Sequence, residues 1–230
     1  MPRLLLLSNS RNPGQGILEH AREAIREFLG PGIRELVFIP FAGVQIPPSA
    51  YTARVQEGLA PLGLSLRSVT DSPDPVALVA SAQAIAVGGG NTFQLLRRMY
   101  ETGLVEAVRA RALAGTPYLG WSAGSNLACP TIRTTNDMPV VQPPSFAALN
   151  LVPFQINPHY TDAVIPNHGG ESRADRIAEF LTLNPEVTVY GLREGSWLRV
   201  EGQTVVLGGP HPLKRFRAGR APEEVGPGEI

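Results

Sequence analysis

A serine between two glycines is the strongest indication of chemistry in this 230-residue chain. Gly120, Trp121, Ser122, Ala123 and Gly124 form a Gly-x-Ser-x-Gly pattern, which is typical of a nucleophile elbow. In such an elbow the serine occupies a tight turn between a strand and a helix, where a Cβ on either glycine would collide with neighbouring backbone. The residues before this serine predict a short buried strand, and those after it can begin a helix. We therefore predict a nucleophilic serine, with an ordinary glycine-rich turn as the alternative.

A serine nucleophile needs a general base, and two of the four histidines lie where a base could stand. His159 follows an apolar run and falls at the end of a predicted strand. His168 lies in an Asn-His-Gly-Gly segment just before a predicted helix, where it could line the same pocket. His20 and His211 are expected on a surface helix and in a proline-flanked turn. The sequence favours His159 and leaves His168 open.

Two carboxylates are candidates for orienting the base. Asp137 lies in a Thr-Thr-Asn-Asp-Met segment, and Glu194 lies in a Leu-Arg-Glu-Gly segment. The chain order Ser122, Asp137, His159 is the order found in α/β-hydrolases, although chain order alone does not fix geometry. Both acids therefore stay candidates at this point.

A second glycine-rich turn, Gly88–Asn91, follows another predicted strand. Acyl transfer needs two backbone N–H groups that point at the developing oxyanion. The residue after the nucleophile, Ala123, would supply one of them, and Gly89 and Gly90 could supply the other because a loop without side chains lets a substrate approach. This turn lacks the Gly-Lys-Ser/Thr ending of a Walker loop and the Gly-x-Gly-x-x-Gly dinucleotide spacing. The alternatives are a phosphate-binding loop of another kind or a simple tight connection.

The elements that must position these residues alternate between strand-like and helix-like patterns. Apolar runs and helical spacing predict strands at 3–8, 35–41, 64–69, 84–87 and 117–121, and helices at 16–29, 49–62, 75–82, 92–100 and 104–113. After a proline-rich stretch, a helix is predicted at 171–183 and strands at 187–190, 196–200 and 204–207, of which the last two form a C-terminal β-hairpin. This alternation predicts an α/β fold of the flavodoxin-like kind, with a largely parallel central sheet and helices on both faces. Ligands collect at the carboxyl ends of such strands, where both glycine-rich turns fall.

The composition narrows the class of protein. Twenty basic and twenty acidic residues give zero net charge, which argues against a nucleic-acid or membrane partner. The single cysteine, Cys129, excludes an intrachain disulfide. The apolar run near the N-terminus is too short for a signal peptide, and no run has the length of a membrane span, so a cytoplasmic location is expected. We predict one catalytic domain over residues 1–217 and a mobile tail over residues 218–230, which is rich in Gly, Pro and Glu.

The chain resembles peptidase E, the family of α-aspartyl dipeptidases, whose sheet is similar to that of class I glutamine amidotransferases. The resemblance extends from the first predicted strand to about Gly209, and its most specific segments are 88–92, 120–126, 129–139, 157–160 and 170–173. It implies Ser122 as nucleophile and His159 as general base. Asp137 and Glu194 both match acidic positions of the family, and we place Asp137 first and keep Glu194 as the rival.

The resemblance also implies a substrate. It predicts a serine dipeptidase that hydrolyses Asp-Xaa dipeptides through an acyl-enzyme, with no cofactor or metal, acting as a monomer or homodimer. Arg173 is the family-matched candidate for the aspartyl carboxylate, because a planar guanidinium can hold both oxygens and a helix N-terminus favours an anion. Glu171 or a neighbouring carboxylate is expected to bind the free α-ammonium group. A surface ion pair is the alternative for Arg173.

Other functions compete with this interpretation. A general serine esterase would share the elbow, but the early His-Gly oxyanion motif of that class is missing. A cyanophycinase-like exopeptidase would use a similar serine site with a larger pocket, and a binding module with a degenerate site is the non-enzymatic alternative. A metal site drawn from His159, Asp162, His168 and Glu171 fits no known zinc spacing.

Overall fold

The computed structural model describes residues 1–163, 167 and 169–230, and it shows an α/β fold with two sheets. The strands are β1 Arg3–Leu7, β2 Glu35–Ile39, β3 Ser65–Ser68, β4 Ile85–Val87, β5 Tyr118–Trp121, β6 Gln155–Tyr160, β7 Thr188–Arg193, β8 Trp197–Glu201, β9 Thr204–Gly208, β10 Leu213–Arg217, β11 Glu223–Val225 and β12 Gly228–Glu229. The helices are α1 Arg22–Leu29, α2 Pro48–Leu59, α3 Pro75–Ala80, α4 Thr92–Glu101, α5 Leu104–Leu113, α6 Ala123–Leu127 and α7 Arg173–Leu183.

The larger sheet has eight strands in the order β12-β9-β8-β1-β5-β4-β2-β3. The five strands from β1 to β3 in this order pair in parallel, and β8, β9 and β12 add antiparallel pairs beyond β1. The largely parallel sheet is therefore confirmed, and so is the C-terminal hairpin, which β8 and β9 form. The carboxyl ends of β4 and β5 are neighbours, so the two glycine-rich turns lie at the same edge of the sheet.

Helices cover both faces of this sheet because its central strands are apolar on both sides. Along β1, Leu4 and Leu6 pack in one buried cluster with residues of α4 and α5, whereas Leu5 and Leu7 pack in the other with residues of α1 and α2. This alternation follows from the two-residue period of a strand, and it explains why the strand reads as an unbroken apolar run. All four leucines are fully buried, and each contributes about 1.5–3 kcal/mol.

The first predicted helix begins later than its apolar spacing suggests. The chain turns at Leu18, whose φ of 56° lies in the left-handed region and whose N–H donates to the Ser10 carbonyl over 2.6 Å. A short 3₁₀ turn follows at Glu19–Ala21, and α1 starts at Arg22. No helix in the part of the chain that the structure describes is long and apolar enough to span a membrane.

A second sheet of four strands, in the order β11-β10-β7-β6, was not predicted. Its strands β6 and β7 pair in parallel, and β10 and β11 add antiparallel pairs. Asn126 of the helix after the elbow joins the two sheets, since its side-chain amide donates to the Ile156 carbonyl of β6 over 2.8 Å. The second sheet thus carries His159 to the edge of the first.

Residues 218–230 were predicted to form a mobile tail, but the structure places two short strands there. β11 pairs with β10 of the smaller sheet, and β12 pairs with β9 of the larger one. Glu223 bonds to Arg215 over 2.7 Å, and Glu224 makes two 2.7 Å bonds to the Arg193 guanidinium. The acidic residues that suggested a solvated tail instead meet basic side chains of β7 and β10, so the tail belongs to the fold.

A charged cluster next to the tail involves Asp162, which follows β6. Its carboxylate accepts hydrogen bonds from Lys214 over 2.6 Å and from Tyr160 over 2.8 Å, and it also pairs with Arg193. Burial alone raises the pKa of the Asp162 carboxyl, but the bonds from Lys214, Arg193 and Tyr160 outweigh it and lower the pKa to about 2. Asp162 therefore stays ionised at neutral pH and holds the end of β6 against β7 and β10.

Candidate active site

Ser122 occupies the sharp turn between β5 and α6. Its φ of 53° and ψ of −114° lie outside the ordinary regions for an L-residue, and such a conformation costs about 1–3 kcal/mol. A Cβ on Gly120 would lie 2.6 Å from the Gly124 carbonyl oxygen, and a Cβ on Gly124 would lie 2.2 Å from the Val87 carbonyl oxygen. Only glycine fits at either position, as the elbow pattern predicts. The turn holds the serine side chain at the edge of the sheet.

His159 and Glu194 complete a chain of hydrogen bonds to Ser122. His159 Nε2 lies 2.8 Å from Ser122 Oγ, and His159 Nδ1 lies 2.6 Å from Glu194 Oε1. The histidine comes from β6 and the glutamate from the residue after β7, so the parallel pairing of these strands brings the two together. An acid, an imidazole and a hydroxyl in this order can activate the hydroxyl as a nucleophile.

The carboxylate beside His159 is therefore Glu194, and our preference for Asp137 is corrected. Asp137 Oδ2 instead accepts hydrogen bonds from the backbone N–H of Thr92 over 2.7 Å, from its hydroxyl over 2.6 Å and from the Thr135 hydroxyl over 3.0 Å. Thr92 is the first residue of α4, where a negative charge is stabilised by the unpaired amides of the helix. Asp137 still lines the cleft beside Ser122. Its other oxygen, Oδ1, makes no side-chain hydrogen bond within the described residues.

The glycine turn after β4 lies against the elbow, as the sequence predicts. A Cβ on Gly89 would lie 3.0 Å from Ser122 Cβ, so the backbone of this turn reaches the serine directly. The amides of Gly89 and Gly90 donate to no backbone group among the described residues. Together with the amide of Ala123, the first residue of α6, they are the candidate donors to an oxyanion at Ser122.

Tyr51 fixes the orientation of this turn, and sequence reasoning missed its role. Its hydroxyl donates to the Gly89 carbonyl over 3.0 Å and accepts from Trp121 Nε1 over 3.0 Å. Burial raises the pKa of Tyr51 to about 12, so the hydroxyl keeps its proton at neutral pH. Holding the Gly89 carbonyl in this way sets the plane of the following peptide, which carries the Gly90 N–H. The helical pattern around Tyr51 gave no signal for such a contact.

A cleft of about 1020 Å³ opens beside Ser122 and His159. Loop residues after β2, the start of α2 and the Gly89–Asn91 turn line it. Val44, Ile46 and Val140 provide apolar surface along its wall, and Asp137 provides a carboxylate. The cleft is open enough to admit a short peptide, and its mixed lining suits a ligand with both charged and apolar parts.

Arg173 lies at a second cavity, which shares His159 with this cleft. It is the first residue of α7 and lines a cavity together with His159, Thr161 and Glu194. Burial lowers the pKa of the Arg173 guanidinium, and the charge of Arg176 lowers it further, against the raising influence of nearby acids. Within the described residues its side chain makes no ion pair. This leaves its planar fork available for an anion.

Glu171 does not join Arg173 at the cavity. Glu171 is exposed just before α7, and its Oε2 lies 3.8 Å from Nε of Arg176 on the protein surface. The expectation that Glu171 binds an ammonium group therefore has no support in the geometry, and Asp137 is the carboxylate that faces the cleft.

The remaining candidates are His168, the suggested metal set and Cys129. His168, the alternative base and a member of the suggested metal set, lies outside the described residues. Across residues 1–163, 167 and 169–230, no three His, Cys, Asp or Glu side chains lie together as a metal site would require. Cys129 is fully buried, and burial raises the pKa of its thiol to about 12. It stays a protonated thiol and packs as a small apolar residue.

Comparisons with known proteins identify the family of this chain. A model of peptidase family S51 matches residues 4–208. The chain is 52% identical to peptidase E of Citrobacter koseri over 216 residues, or 94% of each chain, and 52% identical to peptidase E of Streptomyces coelicolor over 226 residues, or 98% of this chain and 91% of the relative. The crystal structure of a peptidase from an acI-B1 Actinobacterium, 18% identical over 97% of both chains, superposes with a TM-score of 0.66, which shows that the fold is shared. The chain therefore belongs to peptidase family S51, and it is a peptidase.

Proposed function

We propose that the protein is a serine dipeptidase that hydrolyses Asp-Xaa dipeptides through an acyl-enzyme. The observation that carries the proposal is the unbroken contact from Ser122 through His159 to Glu194 at the edge of an open cleft. The relatives at 52% identity bear the name peptidase E. A nucleophile, its base and an orienting carboxylate with free amides nearby are what acyl transfer requires.

The proposed reaction gives each group a role. His159 Nε2 takes the proton of Ser122 as Oγ attacks the scissile carbonyl, and His159 then gives that proton to the leaving amine. Glu194 accepts the Nδ1–H of His159, which fixes the tautomer and stabilises the imidazolium that forms. The amides of the Gly89–Gly90 turn and of Ala123 hold the oxyanion. Water, deprotonated by the same imidazole, then attacks the acyl group on Ser122 and releases it as free aspartate.

Two charges flank this centre in a way that suits an N-terminal aspartate. The Arg173 guanidinium can donate hydrogen bonds to both oxygens of the aspartyl side chain, and its partial burial strengthens such a pair. Asp137 lines the cleft, and its Oδ1 makes no side-chain hydrogen bond within the described residues, so we assign this oxygen to the α-ammonium group. A substrate with one anionic and one cationic group near its scissile bond would thus meet a complement for each.

A panel of Asp-, Glu-, Asn- and isoAsp-dipeptides, run with the wild type and Ser122→Ala, tests this proposal. We expect the wild type to hydrolyse the Asp-dipeptides faster than the other dipeptides. Ser122→Ala should lower kcat by several orders of magnitude, because removal of a catalytic serine lowers kcat by a factor on the order of 10⁶ in a related mechanism. Cleavage of isoAsp substrates in preference to Asp substrates would favour a cyanophycinase-like activity. A Ser122→Ala variant that kept a tenth of kcat would overturn the assignment. A cytoplasmic location and a monomeric or homodimeric state stay predictions.

A further inference from the structure

Three consecutive residues at the end of β1 each contact a different segment of the site. The Leu7 carbonyl accepts the backbone N–H of Ser122 over 3.0 Å. The Ser8 hydroxyl accepts the backbone N–H of His159 over 2.8 Å. The Asn9 side-chain oxygen accepts the backbone N–H of Gly195, the neighbour of Glu194, over 2.8 Å. The end of one strand therefore meets all three catalytic segments, although these come from distant parts of the chain.

The contact at Ser8 lies where the second sheet is irregular. In the pairing of β6 with β7, Pro158 faces Leu192 and Tyr160 faces Arg193, so His159 is skipped and forms a bulge. His159 has a φ of 54°, in the left-handed region that residues with a Cβ rarely adopt. A bulge of this kind re-aims a side chain, here toward Ser122, and leaves the bulged N–H without its ladder partner.

The Ser8 hydroxyl supplies the missing partner. It accepts the freed N–H of His159 and donates to the Leu192 carbonyl on the opposite strand over 2.8 Å. Ser8 is fully buried, so no water would take over these two bonds if the hydroxyl were removed. Its own N–H donates to the Ser196 carbonyl over 3.0 Å, which fixes the serine itself.

Asn9 does the same for the glutamate segment. Its side chain is 2% exposed, and its amide nitrogen is held by the Arg11 carbonyl over 2.9 Å and by Asn12 Oδ1 over 2.8 Å. These two bonds orient the side chain so that its oxygen faces the Gly195 N–H. Gly195 has a φ of 82°, so the turn after Glu194 is itself in a restricted conformation.

We propose that Ser8 and Asn9 are positioning residues that set His159 and Glu194 at working distance from Ser122. The inference rests on the proposed function, because it takes Ser122 as nucleophile and His159 as base. Neither residue lines the cleft beside Ser122. Their effect passes through the bulge at His159 and the turn at Gly195, whose backbone N–H groups they bind.

The chemistry is sensitive to such a displacement. Proton transfer needs Nε2 within hydrogen-bond reach of Oγ, and a shift of about 1 Å in a catalytic group can cost about a hundredfold in rate. Loss of the Ser8 hydroxyl lets the His159 bulge relax toward a regular strand, which turns the imidazole away from Ser122. The cleft and Arg173 are untouched by this change, so substrate binding should be preserved.

The test compares Ser8→Ala with a control at the outer strand β3, Ser68→Ala. Ser68 is 3% exposed, and its hydroxyl accepts the backbone N–H of Thr70 over 3.3 Å and lies 2.8 Å from the Thr70 hydroxyl. Each variant is measured well below its melting temperature for kcat and KM on Asp-Leu and for the rate at which phenylmethylsulfonyl fluoride labels Ser122. The labelling uses the nucleophile and its base but not the Asp-binding pocket.

We expect Ser8→Ala to lower kcat and the labelling rate together, by between about tenfold and a hundredfold, with KM within about twofold. Ser68→Ala should lose stability but keep kcat and labelling within about twofold. Ser8→Thr, which restores the hydroxyl, should recover most of the lost labelling rate. A folded Ser8→Ala enzyme with wild-type kcat and labelling, or equal losses in Ser68→Ala, would overturn the inference.

If Ser8→Ala does not fold, Asn9→Ala carries the test. It removes the bond to Gly195, and we expect a loss of labelling rate of about tenfold; an unchanged rate would overturn the role of the pair. Failure of the proposed substrate is seen separately, because a wild type that does not cleave Asp-Leu can still be labelled at Ser122. The labelling ratio of variant to wild type then decides on the positioning role alone.

Discussion

Replacing Glu194 by glutamine isolates the contribution of the carboxylate that lies 2.6 Å from His159. Glutamine keeps the length of the side chain and removes its charge. Its amide can also rotate to present an N–H to His159 Nδ1, which would favour the tautomer with a proton on Nε2. That tautomer cannot accept the proton of Ser122, so both effects of Glu194→Gln act on the chemical step.

The structure sets the size of the expected loss. A hydrogen bond to a charged group contributes about 1.5–3 kcal/mol, which at about 1.36 kcal/mol per tenfold corresponds to roughly 10- to 150-fold in rate. A buried orienting carboxylate in another serine peptidase accounts for about 10⁴. The side chains of His159 and Glu194 are 37% and 52% exposed, so water screens the charge here more than in that buried case. We expect Glu194→Gln to lower kcat by about a hundredfold and to leave KM within about threefold.

Asp137→Asn is the matched control for this measurement, since it too removes one carboxylate charge at constant size. Asp137 bonds to Thr92 and Thr135 and not to His159, so this variant should keep the labelling rate of Ser122 by a sulfonyl fluoride. Loss of the free carboxylate oxygen should instead raise KM for Asp-Leu. If Asp137→Asn slowed the labelling of Ser122 more than Glu194→Gln did, the observed geometry would not be that of the working site.

Three further variants follow from the same contacts. Arg173→Met should lower kcat/KM for Asp-Leu at least a hundredfold, because breaking a desolvated ion pair costs about 3–5 kcal/mol. Arg176→Met, at the exposed neighbour, should change kcat/KM little, and equal effects of the two variants would place recognition of the substrate carboxylate elsewhere. Tyr51→Phe removes the bond that orients Gly89 and should lower kcat about tenfold with little change in KM; a wild-type kcat would argue against a role for this turn. The pKa of Asp162 is about 2 in the fold and about 3.9 in the unfolded chain, so its contribution is complete above pH 4 and is lost as the pH falls toward 2. Urea unfolding between pH 5 and pH 2 should therefore show a smaller loss of stability in Asp162→Asn, and parallel curves would contradict this.

The larger sheet was predictable because its strands carry strong local signals. Fully buried parallel strands read as unbroken apolar runs, and the crossover helices between them show clear apolar spacing, as in α4 and α5. The smaller sheet gives a weaker signal. The sequence predicts an apolar strand that ends at His159 and a strand at 187–190, which correspond to β6 and β7, but it gives no sign that the two pair. Strands β10 and β11 are rich in charged residues and read as loops until their partners are known.

The site residues likewise differ in how far the local sequence predicts them. The five residues from Gly120 to Gly124 are enough to predict the position of Ser122, because the tight turn requires glycine two residues before and two residues after the serine. The choice between Asp137 and Glu194 depends on where β7 lies relative to β6, which is a long-range pairing. Chain order favoured Asp137 and could not reveal that its carboxylate is held by the first residue of α4. Sequence spacing identifies which residues can react, while the pairing of distant strands decides which of them meet.

The two residues proposed to exchange a proton are also two of the strained residues of the chain. Ser122 and His159 have φ values of 53° and 54°, and each such conformation costs about 1–3 kcal/mol unless its surroundings hold it. Ser122 lies at the edge of the larger sheet, and His159 lies in the smaller one. The contacts between the two sheets therefore help to hold both residues in their strained conformations. That contact runs through the end of β1, where Leu7 and Ser8 each bind the backbone N–H of one of them. The 2.8 Å contact between His159 Nε2 and Ser122 Oγ therefore depends on the position of the smaller sheet relative to the larger one. Changes that disturb the packing of the smaller sheet should lower the catalytic rate.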